Sequence, residues 1–337
     1  MTYECDVDGV RAGRRGSSRF LAVPAGAVLT VALAGCAGDV YGEFPSPPTP
    51  VFTATPSAEA DNGVIAEIAV DGSPCFLAEA GDRVWVTAFD GNELAEIDPE
   101  TNEVISTQRM PGGPCGMLEV NGTLWIETPN AGAIVRFDPV RGEVIDRLRV
   151  PGGVFGLTAT PSGIWGVAGQ GEEVVAIDPG SGEIVGRVEV DGPLGGLVFA
   201  RDQVWVAAAG TLVRIDPRTR TIVDEIELES FEPEGLAVDG DILWVSSSFE
   251  QSVLRFDLRT MKVRDRVPVD DALFGGIVLG DSYWVSGNNT LYRLDVETGE
   301  VEDELELVGF GPIPAAGDLW TVDFLANAVF RLDERAP

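Results

Sequence analysis

The sequence predicts an all-β protein, a closed seven-bladed β-propeller whose blades are four-stranded antiparallel sheets. The first observation is the spacing of the tryptophans, which stand 36 to 40 residues apart: Trp85, Trp125, Trp165, Trp205, Trp244, Trp284 and Trp320. A repeat of about 40 residues is the length of a propeller blade. The second observation is that no segment carries a sustained helical period of apolar residues. Together they predict a ring of repeated sheets.

Residues 114–150 show one repeat in full. Short runs rich in Val, Ile and Leu alternate with turn signals such as Asn121-Gly122 and Asn130-Ala131-Gly132. This alternation predicts consecutive antiparallel strands joined by tight turns. We predict strand a over 115–120, strand b over 123–128, strand c over 133–138 and strand d over 144–150. The other repeats align with this one.

Three residue types recur at fixed places. Each tryptophan lies in the middle of strand b, where we expect it to pack between neighbouring blades. Strand c ends on an aspartate that we expect to form the following turn: Asp98, Asp138, Asp178, Asp216, Asp257, Asp295 and Asp333. Glycine stands nine residues before the tryptophan in six repeats, where the inner strands crowd at the axis: Gly116, Gly156, Gly196, Gly235, Gly275 and Gly311. These sets predict a scaffold rather than a catalytic constellation.

The last repeat ends at Asp333 and leaves no room for a fourth strand. Residues 64–70 match the d strands of other repeats. We therefore predict that this N-terminal strand pairs into the last blade and closes the ring, which removes exposed sheet edges.

The first 36 residues have the organisation of an export signal. Four arginines precede an apolar run over 20–34, and Leu33-Ala34-Gly35-Cys36 follows it. This motif resembles the bacterial lipobox and predicts lipidation of Cys36. The alternative is a plain cleaved signal with an incidental cysteine. Residues 37–62 are rich in proline, serine and threonine and predict an extended tether, and 63–337 form the propeller. We expect an exported protein, anchored at the outer face of the cytoplasmic membrane or in the cell envelope.

The net charge of −32 limits the range of partners. A surface with so few Lys and Arg side chains repels nucleic acid, whose binding needs clustered cations. The charge serves either solubility or the attraction of cationic partners. Oligomerisation is not indicated, and we expect a monomeric propeller.

The chain contains no histidine. This removes the usual general base and the commonest transition-metal ligand. Carboxylates alone can still bind Ca²⁺ or Mg²⁺ or act as acid and base. We predict no catalytic residue and no cofactor, with Ca²⁺ or Mg²⁺ left open.

Cys75 and Cys115 occupy the same position in the first two repeats, on adjacent inner strands. Outside the cytoplasm a disulfide between them is favoured. Two free thiols or a metal site are the alternatives.

The ring at that position reads Cys75, Cys115, Phe155, Gly195, Glu234, Phe274 and Phe310, which we call the collar. It is apolar except for Glu234, a carboxylate that would be partly desolvated beside the axis and is a candidate ligand-binding group. The loops between strands b and c add further candidates on the same face: Asp90, Glu127, Asn130, Gln170, Glu250, Asn288 and Asp323. Polar loop residues can also be simply solvated.

The repeat resembles the streptogramin lyase-like and YVTN-type propellers, a group that grades into NHL-like repeats. The motifs stand here as Gly113-Pro114-Cys115-Gly116, Leu124-Trp125-Ile126 and Val135-Arg136-Phe137-Asp138-Pro139. The resemblance covers about 64–333 and implies the fold. The lyases of this group use a catalytic histidine with glutamates and Mg²⁺, and no such histidine is present.

We therefore expect a lipid-anchored module that binds or scaffolds a small ligand, peptide or protein. The alternative is a metal-dependent lyase or lactonase-like enzyme that uses carboxylates only. A purely structural role in the envelope is a third hypothesis.

Overall fold

The computed structural model describes residues 63–169 and 171–333. Within them the chain forms seven four-stranded antiparallel sheets, which confirms the predicted all-β propeller. The predicted signal peptide with Cys36 and the whole of the predicted tether lie outside the described residues, as does Gln170. In the described part of the chain, no helix has the length and apolar character needed to cross a membrane.

The first strand is β1 (Val64–Ala69). Blade 1 consists of β2 (Pro74–Ala80), β3 (Arg83–Ala88), β4 (Glu93–Asp98) and β5 (Glu103–Arg109). Blade 2 consists of β6 (Met117–Val120), β7 (Thr123–Thr128), β8 (Ala133–Asp138) and β9 (Glu143–Arg149). Blade 3 consists of β10 (Val154–Thr160), β11 (Gly163–Ala168), β12 (Glu173–Ile177) and β13 (Ile184–Glu189). Blades 4 and 5 are β14 (Leu194–Ala200), β15 (Gln203–Ala208), β16 (Thr211–Asp216), β17 (Thr221–Glu227); and β18 (Gly235–Asp239), β19 (Ile242–Ser247), β20 (Ser252–Asp257), β21 (Lys262–Pro268). Blade 6 consists of β22 (Gly276–Leu279), β23 (Ser282–Ser286), β24 (Leu291–Asp295) and β25 (Val301–Leu305). The remaining strands, β26 (Phe310–Ala315), β27 (Asp318–Asp323) and β28 (Ala328–Leu332), belong to blade 7. A single-turn 3₁₀ helix spans Pro129–Ala131.

The N-terminal strand closes the ring as predicted. Blade 7 has the order β1-β28-β27-β26, so its outer strand comes from the start of the propeller. Ile68 pairs with Val329, and the Asp333 amide donates to the Gly63 carbonyl at 2.8 Å. Both ends of the domain are therefore held in one sheet.

The core lies between the blades. All seven tryptophans are at most 1% exposed, and each belongs to a cluster with side chains of the following blade. Trp85, for example, packs with Leu124, Ile126 and Phe137 of blade 2. The predicted packing role of the tryptophans is confirmed. Burial of large aromatic side chains is the main source of stability in such a ring.

In five blades an arginine on the third strand packs over the tryptophan of the same blade. The guanidinium groups lie over tryptophans at 5.3–5.9 Å: Arg136, Arg214, Arg255, Arg293 and Arg331. Arg255 also bonds the Asp265 carboxylate and donates to carbonyls of Val296, Glu297 and Thr298 in the next blade. The sequence reasoning missed this contact, although an arginine opposite the tryptophan recurs in the repeat.

The aspartates that end strand c form turns. In six repeats the Oδ1 atom accepts backbone N–H groups two or three residues ahead: Asp98, Asp138, Asp178, Asp216, Asp257 and Asp295. These bonds are between 2.6 and 3.4 Å long. The turn role predicted for these six residues is confirmed.

The inner strands begin less regularly than predicted. Strand a of the second repeat starts at Met117 instead of Cys115, and strand d starts at Glu143. Register shifts interrupt four inner strands near their beginning, as between Phe155 and Leu157. Such bulges are expected where seven strands converge on one axis.

Candidate functional site

The b–c loops and the d–a connections lie at the same end of every blade, and we call this end the loop face. The collar residues stand at the beginning of the inner strands and therefore surround the mouth of the axis on this face. Each of the seven is at least partly exposed. Phe155, with 40% exposure, is the most open large side chain of the collar.

Blades 1 and 2 are joined at the collar. Cys75 and Cys115 form a disulfide with their Cα atoms 5.0 Å apart. Close by, the Thr87 hydroxyl donates to the Cys115 carbonyl at 2.7 Å. A covalent bond and a hydrogen bond therefore hold the same two blades.

Glu234 stands just before β18, and its position is determined by two neighbours. Its carboxylate accepts the Ser248 N–H at 2.9 Å, from the b–c loop of the same blade. Its backbone lies so close to Gly195 that a Cβ atom there would be 2.9 Å from the Glu234 Cα. The carboxylate thus points toward the loop face while the backbone closes the collar.

Three of the predicted loop residues are engaged locally. Asp90 accepts from the Ser73 hydroxyl at 2.6 Å, and Glu250 accepts from the Ser247 hydroxyl at 2.6 Å. The Asn288 amide donates to Asp271 at 2.9 Å. No hydrogen bond among the described residues joins two of the predicted ligand-binding residues. They surround the loop face without forming one polar cluster.

Asn130 lies in the 3₁₀ turn of blade 2 and is exposed. Its backbone N–H donates to the Gly112 carbonyl at 3.0 Å. Its side-chain Nδ2 lies close to Gly113, where an added Cβ atom would be 2.6 Å from it.

Two of the predicted loop residues lie in strands instead. Asp323 ends β27, is 8% exposed, and its Oδ1 accepts the N–H groups of Leu325 and Ala326. It is therefore a turn former like the aspartates of strand c. Glu127 lies within β7 and is 4% exposed. The prediction of loop positions was wrong for both, because β7 and β27 have the bounds that the repeat pattern gives strand b, and both residues fall inside them.

Among residues 63–169 and 171–333, Glu127 is the least exposed carboxylate residue. Burial raises its pKa to about 8, although the backbone N–H groups of Leu157, Gly156 and Gly116 lower it. The equivalent residues Thr87 and Ser246, two after their tryptophans, are hydroxyls that donate to carbonyls of the next blade. The sequence contained a signal for this burial. At the equivalent position of the other repeats the residue is apolar or a hydroxyl, so a glutamate there stands out.

The loop face also exposes apolar side chains. Phe249 is 75% exposed, Leu325 70%, Phe324 43% and Phe155 40%. The other large apolar residues that are exposed in 63–169 and 171–333 lie elsewhere. Val140 lies on the opposite face, and the remaining ones lie on the outer strands of the blades. All three strongly exposed phenylalanines are therefore on the loop face. The sequence reasoning considered only polar groups in these loops and missed them.

Two clefts open between blades on the same face. One, of about 610 Å³, is lined by Gly169, Gly171, Glu172, Glu173, Glu189, Val190, Asp191, Gly192 and Pro193. The other, of about 410 Å³, is lined by Asn289, Thr290, Glu306, Leu307, Val308 and Asp323. Both carry carboxylates and no Lys or Arg. Within the described ranges, no group of three or more acidic or cysteine side chains is placed to hold a metal ion.

These features define a seven-bladed propeller with an acidic face that carries exposed aromatic side chains. The PQQ_2 family model, described as outer membrane protein assembly factor BamB, matches residues 55–267, more than half of the chain. The chain therefore belongs to this family. No curated protein gives a significant match.

Solved structures with the same fold are distant in sequence. Virginiamycin B lyase from Staphylococcus aureus, a catalytically inactive variant with quinupristin, has a TM-score of 0.69 at 16% identity, covering 80% of this chain and 98% of that one. Kuenenia stuttgartiensis hydrazine synthase has 0.70 at 12%, covering 79% and 97%. The Neurospora crassa Pan2 WD40 domain has 0.65 at 15%, covering 78% and 90%. At these identities the likeness concerns the fold alone.

Proposed function

We propose that this chain is a lipid-anchored protein of the cell envelope that binds a partner protein through its loop face. The observation that carries this proposal is the location of the exposed aromatic side chains. Aromatic residues dominate the energetics of protein interfaces because they bury large areas in few degrees of freedom. Phe249 and Phe324 are exposed on one face of a rigid ring.

Family membership supports the same reading. The description of the family names an outer membrane protein assembly factor. Assembling other proteins requires contact with them, and an envelope location agrees with the export signal predicted for residues 1–36. The partner and the way this chain contacts it are part of the proposal.

Glu234, Asp90, Asn130, Glu250 and Asn288 are the polar groups of the proposed surface. With its carboxylates ionised, the face favours basic groups of the partner, and salt weakens such contacts. Asp323 contributes from beneath the surface by accepting the N–H groups of the Leu325 loop, and Glu127 lies buried beneath the same face. A polar rim around aromatic anchors is the usual organisation of a protein interface.

The test is site-specific photo-crosslinking in the bacterial host. A crosslinking residue placed at Phe249 or Phe324 should yield the same adduct, identified by mass spectrometry. The matched control is Val140, which is 89% exposed on the opposite face. Adducts that form from Val140 and not from the loop face would contradict the proposal.

Anchoring is tested separately. The Cys36→Ser form should lose its membrane association and remain as precursor or be shed. A variant that fractionates with membranes like the parent rules out lipidation of Cys36, while leaving the binding face untouched.

A further inference from the structure

We propose that Phe310, Phe324 and Leu325, together with the cleft between blades 6 and 7, form the docking site for a protein segment that carries an aromatic or aliphatic side chain next to a lysine or arginine. This inference rests on the proposed function, since it assigns the binding to one part of the loop face. It also specifies the chemistry of the bound segment.

The apolar half of the site is held in place by a ring contact and by two hydrogen bonds. Phe324 packs edge-on against the collar residue Phe310, with ring centroids 6.4 Å apart. Leu325 follows with 70% exposure. The Asp323 carboxylate accepts the Leu325 N–H at 2.9 Å and the Ala326 N–H at 2.8 Å, which holds the loop in position. A loop ordered before binding loses little conformational entropy when a partner docks.

The acidic half of the site is the neighbouring cleft of about 410 Å³. Glu306 is exposed and forms no ion pair with any residue of the described ranges. Leu307 and Val308 line the same cleft. The long apolar stem of a lysine or arginine can lie along aliphatic walls while its charged end reaches carboxylates. The lining therefore suits a basic side chain better than an acidic or a purely apolar one.

Charge complementarity selects the occupant. The chain carries 55 acidic against 23 basic residues. A second copy of the chain has the same net charge and is repelled at long range, whereas a basic segment is attracted. The anchors Phe324 and Leu325 lie immediately beside Asp323, so one short segment can reach both halves.

The experiment is selection of peptides from a random displayed library on the folded protein, followed by titration of one enriched peptide against variants. Enriched peptides should combine Lys or Arg with Leu, Phe or Trp. Leu325→Ser should raise the Kd about tenfold or more, the size of effect typical of an interface anchor. Glu306→Gln, an independent variant on a surface residue, should raise the Kd and also flatten its dependence on salt.

Two exposed residues supply the controls. Val140→Ser alters the opposite face and should leave the Kd unchanged. Phe249→Ser alters the loop face in blade 5, outside the proposed docking site, and should raise the Kd less than Leu325→Ser does. Binding weakened by Phe249→Ser but not by Leu325→Ser overturns this inference and leaves the proposed function standing. Binding weakened only by Val140→Ser overturns both. Acidic enriched peptides, or no enrichment at all, also overturn the inference.

Discussion

The carboxyl group of Glu127 fills the space beside Gly116 that any other residue would need for its side chain. A Cβ atom at position 116 would lie within 2.6 Å of Glu127 Oε1. The two residues face each other on neighbouring strands, where the Glu127 N–H donates to the Gly116 carbonyl at 2.8 Å. Glycine is thus required here by space, and it allows a carboxyl group to lie between two blades.

Gly116→Ala should destabilise the fold because the added methyl group has no room. Overpacking of this kind costs about 1–3 kcal/mol. Gly275 holds the equivalent position in blade 6, and a Cβ there would meet nothing within 4 Å. Gly275→Ala should therefore change the free energy of unfolding by less than about 0.5 kcal/mol. Urea unfolding of both variants measures the difference, and equal effects would contradict the close contact.

Glu127 should make the stability depend on pH in a defined direction. Burial raises its pKa to about 8 from 4.5, so the folded state binds a proton more tightly than the unfolded chain. Below pH 4.5 the carboxyl group is protonated in both states, and its burial does not reduce the free energy of unfolding. As the pH rises from 4.5 to about 8, the unfolded chain loses the proton first, so the free energy of unfolding falls. The full loss is at most on the order of 5 kcal/mol.

The Glu127→Gln variant tests this sign. Glutamine is neutral at every pH. The stability of the variant relative to the parent protein should therefore increase as the pH rises between about pH 5 and 8. Free energies of unfolding at several pH values give the difference directly, which cancels the titration of all other groups. The prediction is contradicted if the difference in free energy of unfolding between variant and parent stays constant across the range or shrinks as the pH rises. Either result would show that the pKa of Glu127 is not raised by burial.

Arg255→Lys should weaken the contact between blades 5 and 6. Arg255 is 3% exposed and lies 5.5 Å from the Trp244 ring, with carbonyls of the next blade as partners. Lysine keeps the charge but loses the planar group that bonds Asp265 and the carbonyls together. We expect a loss of roughly 2–4 kcal/mol in chemical unfolding.

The matched control is Arg218→Lys, at an exposed turn position of blade 4. Its stability should remain within about 0.5 kcal/mol of the parent. A similar loss for both replacements would mean that the general preference for arginine, and not the contact of Arg255, is being measured.

Removal of the N-terminal strand should open the ring. A chain beginning at residue 61 keeps β1, whereas one beginning at 71 loses it together with Ile68 and Val70, which are 5% and 4% exposed. Burial of two such side chains stabilises the fold by roughly 3–6 kcal/mol, and the exposed edge of β28 adds to the loss. Thermal melting compares the two truncations. Equal melting temperatures would contradict closure by this strand.

Much of the scaffold was predictable because it depends on local, repeated patterns. The tryptophan period and the turn residues predicted the blades, and the d-like residues 64–70 predicted the closing strand. The polar candidates were less predictable. The assignment of Glu127 and Asp323 to loops was wrong although the repeat pattern places both inside strand b, and only the packing of neighbouring blades shows how deeply each is buried.

The sequence by itself determined the number of blades, the packing role of the tryptophans and the acidic character of the surface, because these follow from periodicity and composition. Only the tertiary structure decided which carboxyl group is desolvated and which apolar side chains meet on one face. Glu127 is buried where backbone from two places in the chain, at Gly116 and at Gly156 with Leu157, meets its side chain. The rings of Phe310 and Phe324 pack edge to face because the fold brings the collar and a loop of blade 7 together. Such relations depend on distances between residues remote in sequence, which a linear pattern does not contain.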